Sequence, residues 1–445
     1  MKKEYVKMVT AVIMALIFMM GIMPCSNANA ANTGTFNVMS ANVAGLPGIL
    51  SSSNPKANTI QMGSFLNNYD IVSVQEDFAY HRDLISKVKH PYLTEHSGNV
   101  PYGDGMNFMS NFELNNITRV KWKDSYGFIK DGADQMTPKG ILYSSVKISD
   151  GYYIDVYDIH TDAGDDEGSY AARRSNMNQL GKMIREYSEG KAVIVIGDTN
   201  SRYTRAQDNF ETAVLKTCGL RDAWIEKKCG GIIPKDGAAL MDSSNRNSSS
   251  NEVVDKIWYR SGQDVTLKAV SYDLLTNFTD GNGNQLSDHY PITSTFSFSL
   301  NKNIRTSELY GGDRGSIFSF LTKMGNNFPK AVSIRAANRL DAISFTYAHA
   351  AVSAGGNGGD LKTMKLADGE YITSVQVSKA KASWNSSYRI SYIKIQTNFG
   401  NILEGGKQGA LYTYTAPSGY GVAGIYGYSG DEIDSIGVIY RKFHN

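Results

Sequence analysis

Residues 192–200 read Ala-Val-Ile-Val-Ile-Gly-Asp198-Thr-Asn200, a β-branched run that breaks off into polar side chains. A short apolar run of this composition predicts a buried strand. Side chains two apart on an extended chain share a face, so Asp198 and Asn200 are expected to project into one pocket beyond the buried stretch. Working outward, apolar runs with polar ends recur at 36–42, 71–76, 153–160 and 254–259, while amphipathic helix patterns stand out near 56–66 and 173–187. Together they predict a layered α/β domain with large sheets. The strand ends carry Asn42, Glu76, His160, Asp198 and Asn200, and Asp288 with His289 precedes Pro291 on an expected irregular turn.

Singly, each of these residues has an ordinary structural explanation, since Asp and Asn cap turns and a lone His is usually structural. Their recurrence at the ends of apolar runs points to one constellation. An anionic phosphoester resists water until a cation absorbs charge and a base activates the nucleophile. Hard oxygen donors suit Mg²⁺ or another divalent cation, so Glu76 with Asn42 is the expected metal hold. Asp198 is expected to orient or deprotonate water, Asn200 to donate to a phosphate oxygen, and His289 or His160 to move the proton. A carboxylate beside an imidazole, as Asp288 is to His289 in sequence, orients the ring and favours its protonated form.

At 445 residues the chain exceeds what one core usually organises, so two domains are expected. A net charge of +2 sets up no global field for nucleic acid or an anionic membrane, although local basic patches are compatible with it. Residues 1–30 have the three parts of a secretory leader: Lys2 and Lys3, an apolar run over 9–23, and small residues ending at Ala30. Export is expected, with Cys25 leaving with the leader. Cys218 and Cys229 remain as a pair that an oxidising compartment would allow to form a local disulfide. The Ser/Asn-rich segment 242–251 reads as an exposed loop, and the polar stretch 301–307 as a linker.

From Glu308 onward apolar and polar residues alternate without a long helical pattern, which predicts an all-β unit. Glycine pairs at Gly311-Gly312, Gly355-Gly356 and Gly405-Gly406 recur at about 45 residues, a period that suggests three repeats of four strands. The expected organisation is a leader over 1–30, a first domain over 31–300, a linker over 301–307 and a second domain over 308–445.

The motifs Ser-Ala-Asn42-Val, Val-Gln-Glu76-Asp, Asp-Ile-His160-Thr, Ile-Gly-Asp198-Thr-Asn200 and Leu-Ser-Asp288-His289 resemble the endonuclease/exonuclease/phosphatase superfamily over residues 35–298. That resemblance implies a two-layer β-sandwich flanked by helices and phosphoester chemistry. His160-Thr-Asp-Ala with Asp165, Asp166, Arg173 and Gln179-Leu180, and Asp134 ahead of Lys139-Gly140, look like secreted neutral sphingomyelinases. They imply a phospholipid substrate, with Lys139 and Arg173 as substrate ligands and peripheral membrane contact. Ala44 stands where several nuclease members carry an acidic residue. A secreted nuclease acting on nucleic acid, a phosphomonoesterase, or a lectin with a non-catalytic first domain are the alternatives.

The glycine-rich passages at 310–313 and 354–360 and the ending Gly430-Asp431-Glu432-Ile433-Asp434 resemble jacalin-related lectins. This implies a threefold β-prism that binds carbohydrate. Asp434 would accept from sugar hydroxyls, the backbone amides of Asp431 and Glu432 would donate, and Gly311 or Gly356 would permit close approach.

Overall fold

The computed structural model describes residues 32–46, 55–98, 103–127, 134–135, 137–238, 251–382 and 386–443. The leader expected over 1–30 and nearly all of the loop expected over 242–251 lie outside the described residues. The chain divides into Met1–Asn32 and Thr33–Asn445, and both sheet systems lie in the second unit.

Twelve strands build two six-stranded sheets. They are β1 (Thr33–Asn42), β2 (Ile71–Gln75), β3 (Tyr92–Leu93), β4 (Asn107–Ser110), β5 (Glu113–Lys121), β6 (Gly140–Ser149), β7 (Tyr152–His160), β8 (Val193–Asp198), β9 (Arg221–Asp222), β10 (Asp255–Arg260), β11 (Val265–Leu274) and β12 (Ile292–Leu300). One sheet runs β11-β12-β1-β2-β4-β3, the other β5-β6-β7-β8-β10-β9. Their inner faces share a core that includes Phe36, Val38, Phe108, Ile154, Val156, Ile194, Ile196, Ile257 and Phe296. Every residue of β7 and β8 is buried, as expected of central strands covered on both faces.

Helices α1 (Pro55–Leu66), α2 (His81–Ile85) and α3 (Glu167–Tyr187) lie among the strands. The Asp166 carboxylate caps α3 by accepting from the Gly168 and Ser169 amides, and Met177, Leu180, Met183 and Ile184 form its buried face. This is the expected β-sandwich flanked by helices. The expected local disulfide is not present: Cys218 is buried with its thiol against the Gly181 carbonyl, and Cys229 is a second free thiol after the short helix Ala223–Lys228.

The second region is a β-prism of three four-stranded units. Ala331–Ala336, Leu340–Thr346, Ala351–Gly355 and Asp360–Lys365 form the first, with the third, second, first and fourth strands side by side in that order. Ile372–Lys381, Tyr388–Thr397, Ile402–Gly406 and Tyr412–Thr415 repeat the order. The chain's two flanks close the third unit, Tyr310–Gly311 and Ser316–Ser319 pairing onto Tyr420–Ser429 and Ile433–Lys442. The glycine pairs fall at the end of the third strand of each unit, so the period legible in the sequence is a true structural repeat. Ile334, Phe345, Val375, Ile393, Val422 and Ile436 share its core.

The stretch 301–307 is not a free linker, because Ile304–Thr306 pairs with Ile439 to Arg441 as part of the prism. Arg305 stacks between Tyr152 and Tyr420 at 6.0 and 5.0 Å, and Tyr187 meets Tyr428 edge-on at 6.2 Å. These contacts hold the prism at the start of β7 and the end of α3, the opposite end of the sandwich from His160 and Asp198. No helix among the described residues is long and apolar enough to cross a membrane.

Candidate active site and carbohydrate site

Strand register brings the polar residues together. Parallel pairing sets Asn42 of β1 opposite Gln75 of β2, so Glu76 emerges beside Asn42. Parallel β7 and β8 set His160 opposite Asp198, and antiparallel β10 sets Asp255 on the other flank of Asp198. β12 starts opposite β1 near Ser40, and the turn before it returns His289 to the same edge. Gly197 makes the close β7–β8 approach possible: its φ is +142°, and a Cβ there would meet the Ile159 carbonyl oxygen at 2.1 Å. Ala44, Glu76 and Asn200 have φ of +47°, +57° and +46°, left-handed conformations that cost energy in residues with a Cβ and gather at this edge.

Asn42 Nδ2 donates to Glu76 Oε1 at 2.9 Å and to Asp198 Oδ2 at 3.2 Å. His160 Nε2 lies 3.5 Å from Asp198 Oδ2 and 3.9 Å from Glu76 Oε1. His289 Nε2 lies 3.8 Å from the same Asp198 oxygen, while its Nδ1 pairs with Asp255 Oδ2 at 2.8 Å. Asp198 thus stands between two imidazoles. Its other oxygen accepts from the Asn200 amide at 2.9 Å, and the Asn200 side chain donates to the Thr161 carbonyl at 3.2 Å.

The carboxylate that orients His289 is Asp255 and not its neighbour Asp288, which is exposed and accepts from the Ser287 hydroxyl at 3.3 Å. Sequence reasoning missed Asp255 because it looked for polar residues at the ends of apolar runs. An antiparallel strand presents its first residue at this edge, and Asp255 heads the run 255–260.

Lys139 is buried, pairs with Asp134 and donates to the Thr161 carbonyl at 3.3 Å, so its charge sits at the pocket wall. Arg173 corrects the sequence expectation. It is 1% exposed and bonds to Asp208 at 3.0 Å and to the Asp162 and Gly164 carbonyls at 2.8 and 3.1 Å, which makes it a brace between loops.

The electrostatics follow from burial and neighbours. Burial pushes the Glu76 carboxyl up, against the pull of Lys139 and Asn42. Burial, with the Lys139 charge, holds His160 well below the usual histidine range. Burial opposes charge on His289 too, but Asp255 and Asp198 overcome it and hold that imidazole well above the usual range. Asp198 is buried, yet His289, His160 and Lys139 keep its carboxyl low. The ligand atoms of Glu76, His160 and Asp198 all lie within 4.8 Å of one another. Those groups fit a small divalent cation: the Glu76 and Asp198 carboxylates converge on the Asn42 amide, whose oxygen is fixed by the Ala44 amide at 3.0 Å.

At the prism end, Gly311 has φ +140° and lies so close to Asp434 and Ser435 that a Cβ would meet the Asp434 carbonyl oxygen at 2.2 Å. Gly356 abuts the Asp431 carbonyl, so a Cβ there would sit 2.6 Å from it. The Glu432 side chain is held by Arg339 at 2.8 Å and by Arg389, leaving its backbone as the part able to meet a ligand. Burial and the Glu432 charge push the Asp434 carboxyl up to about 6.

Residues 34–224 match the Endonuclease/Exonuclease/phosphatase family 2, and residues 307–439 match the jacalin-like lectin domain. A sphingomyelinase of Mycobacterium bovis is 37% identical over 276 residues, which cover 60% of this chain and 53% of that protein. A sphingomyelinase of Mycobacterium tuberculosis gives the same figures, so the chain spans about half the length of the relatives it matches. Among solved structures, Staphylococcus aureus beta toxin overlaps 58% of this chain and 99% of its own, at 19% identity and a TM-score of 0.42. Malaysian banana lectin overlaps 32% of this chain and 99% of its own, at 26% identity and a TM-score of 0.28. The chain therefore joins a domain of the endonuclease/exonuclease/phosphatase family to a jacalin-like lectin domain.

Proposed function

We propose that the protein is a secreted, divalent-cation-dependent phosphodiesterase that cleaves sphingomyelin or a related phospholipid on the lipid side of the phosphate, with its lectin domain holding it at glycan-bearing surfaces. The observation that carries the phosphoesterase reading is Asp198 set between His160 and the Asp255-bound His289, beside Glu76 and Asn42. The sphingomyelinase relatives support the substrate. We assign residues 1–30 to a leader, 31–300 to catalysis and 308–445 to sugar binding, with 301–307 joining them.

Glu76 and Asn42 would hold Mg²⁺ or a similar ion. When bound, that ion supplies Lewis-acid neutralisation of phosphate charge. Asp198, kept ionised, accepts a hydrogen bond from the attacking water and aims it at phosphorus. His289, oriented through Nδ1 by Asp255, carries a proton at Nε2 and passes it to the lipid oxygen as that oxygen's bond to phosphorus breaks, while Asp198 takes the proton released by the attacking water. His160, kept neutral, presents Nε2–H as a hydrogen-bond donor to a phosphate oxygen, and Lys139 adds a fixed positive charge. Asn200 shapes the wall through its bond to Thr161. A cleft of ≈ 390 Å³ beside His289, lined by Arg202, Asp255, Asp288 and Tyr290 among others, offers room for substrate.

The lectin site would take one sugar against Asp434, with amides of Asp431 and Glu432 donating and Gly311 and Gly356 allowing approach. Tethering to glycan raises the local enzyme concentration at a membrane, so a weak sugar contact is sufficient for targeting. The test is product release by the purified chain from sphingomyelin, phosphatidylcholine and DNA, with Mg²⁺ and with chelator. Mg²⁺-dependent phosphocholine release is expected. DNA cleavage with the same dependence would replace the lipid substrate by nucleic acid, and inactivity on all three would leave the lectin as the working part.

A further inference from the structure

The three units of the prism match where the third strand ends against the second. In each, the residue after the third strand donates its amide to a carbonyl early in the second strand: Gly312 to Asp434 at 2.8 Å, Gly356 to Asp341 at 2.9 Å, and Lys407 to Ser391 at 2.7 Å. Asp434, Asp341 and Ser391 are therefore matching positions. Two residues earlier stand Glu432, Arg339 and Arg389, which also match. Glu432 joins the other two: Arg339 Nε lies 2.8 Å from one Glu432 oxygen, and Arg389 pairs with the other. Equivalent residues in mutual contact must surround the pseudo-threefold axis, so an Arg–Glu–Arg triad closes the apex.

Beyond the triad the three positions differ. Among the described residues the Asp434 carboxylate makes no hydrogen bond or ion pair, and its oxygens are not sealed from solvent. Asp341 and Asp434 are buried alike, at 4% and 6% exposure, and what separates them is that Arg339 Nε donates to Asp341 Oδ1 at 2.9 Å. The backbone also closes over Asp341, since a Cβ on Gly358 or Gly359 would lie 2.8 or 2.7 Å from its carboxylate oxygens. Ser391 has no carboxylate to offer. The Arg339 Nε–H lies against both Asp341 Oδ1 and Glu432 Oε2, so it occupies one of the two Asp341 oxygens that a sugar hydroxyl would use.

We infer that this lectin domain takes one sugar per chain, at Asp434, because Arg339 plugs the matching position at Asp341. This rests on the carbohydrate reading proposed above. The structural consequence is a monovalent lectin: it anchors one chain to a glycan without cross-linking glycans. Arg339 then sets valence, while Glu432 positions the recognition loop.

The test uses the full chain and the glycoside it retains best from a panel of immobilised methyl glycosides of mannose, glucose, galactose and N-acetylgalactosamine. Stoichiometry is read at saturation by equilibrium dialysis. The wild type is expected to bind one equivalent and Asp434→Asn none. Arg339→Gly is expected to bind two, and the Arg339→Gly/Asp434→Asn double variant one. Arg339→Lys, which keeps a cation against Asp341, is expected to stay at one, and thermal melting confirms that each variant folds. Two equivalents in the wild type, or one in a folded Arg339→Gly, overturns the plug while leaving sugar binding at Asp434 intact. No retention of any glycoside by the wild type overturns the carbohydrate reading and the plug with it.

Discussion

The edge of the sandwich at His160 and Asp198 and the apex of the prism are both built from charged residues at strand ends, and they treat charge in opposite ways. At the edge, Glu76, Asp198 and Asp255 converge on two imidazoles, and burial raises Glu76 and Asp255. At the apex, Arg339 and Arg389 clasp Glu432, so the main charges satisfy one another. A cluster that leaves carboxylates short of positive charge is prepared for a cation and an anionic substrate. A cluster that closes on itself holds loops in register, and beside it the Asp434 carboxylate, which bonds to none of the described residues, marks what is left for a ligand.

The comparison is broken most directly at His289. Replacing it by Ala is expected to cut hydrolysis about 10³-fold if proton transfer runs through this imidazole. Melting in parallel separates chemistry from folding, and near-normal turnover in a folded variant would remove His289 from the mechanism. Asp255→Asn keeps the hydrogen bond but loses the charge, so a smaller loss of about 10²-fold is expected. The limb of the pH–rate profile that belongs to His289 should also move to lower pH, because Asp255 is what raises that imidazole. An unmoved profile would assign the orienting role elsewhere.

A subtler contrast concerns stability. Burial and the Asp134 charge push the Asp162 carboxyl, two residues beyond His160, up to about 7. An unfolded aspartate ionises near about 3.9, so the folded state binds more protons between about pH 4 and 7. The Asp162 contribution therefore favours folding at acid pH and is lost as pH rises through that window. Asp162→Asn is expected to flatten part of the decline in melting temperature from pH 5 to 8, and an unchanged slope would place the titration in other buried acids. At the self-satisfied apex, Glu432→Gln leaves two arginines facing each other, and a loss of about 2 kcal/mol of lectin stability is expected by denaturant unfolding. A neutral result would make the triad incidental.

Much of this architecture is legible in the chain. The runs 36–42, 71–76, 153–160 and 193–200 became β1, β2, β7 and β8, because continuous β-branched stretches with polar stops suit strands buried on both faces. The glycine pairs marked equivalent strand ends because a positive φ against neighbouring backbone admits little else at Gly311, Gly355 and Gly406. Arg173 misled for the opposite reason: a helix pattern shows that an arginine is present but not that its guanidinium turns inward to Asp208. The segment 301–307 misled because its polar composition hides a three-residue strand whose pairing partners lie about 135 residues further on.

By itself the sequence determined the element types, the order of the two sheet systems, the repeat, and which polar residues, Asn42, Glu76, His160, Asp198, His289 and Asp434, stand at strand ends and turns. These depend on local periodicity and residue type, which act over a few positions. Only the tertiary structure decided that Asp255 and not Asp288 pairs with His289, that Lys139 is buried against Asp134, and that Arg339 bonds to Asp341 while none of the described residues bonds to the Asp434 carboxylate. Those outcomes depend on strand register and on which side chain reaches a partner first, distances set by residues far apart in the chain.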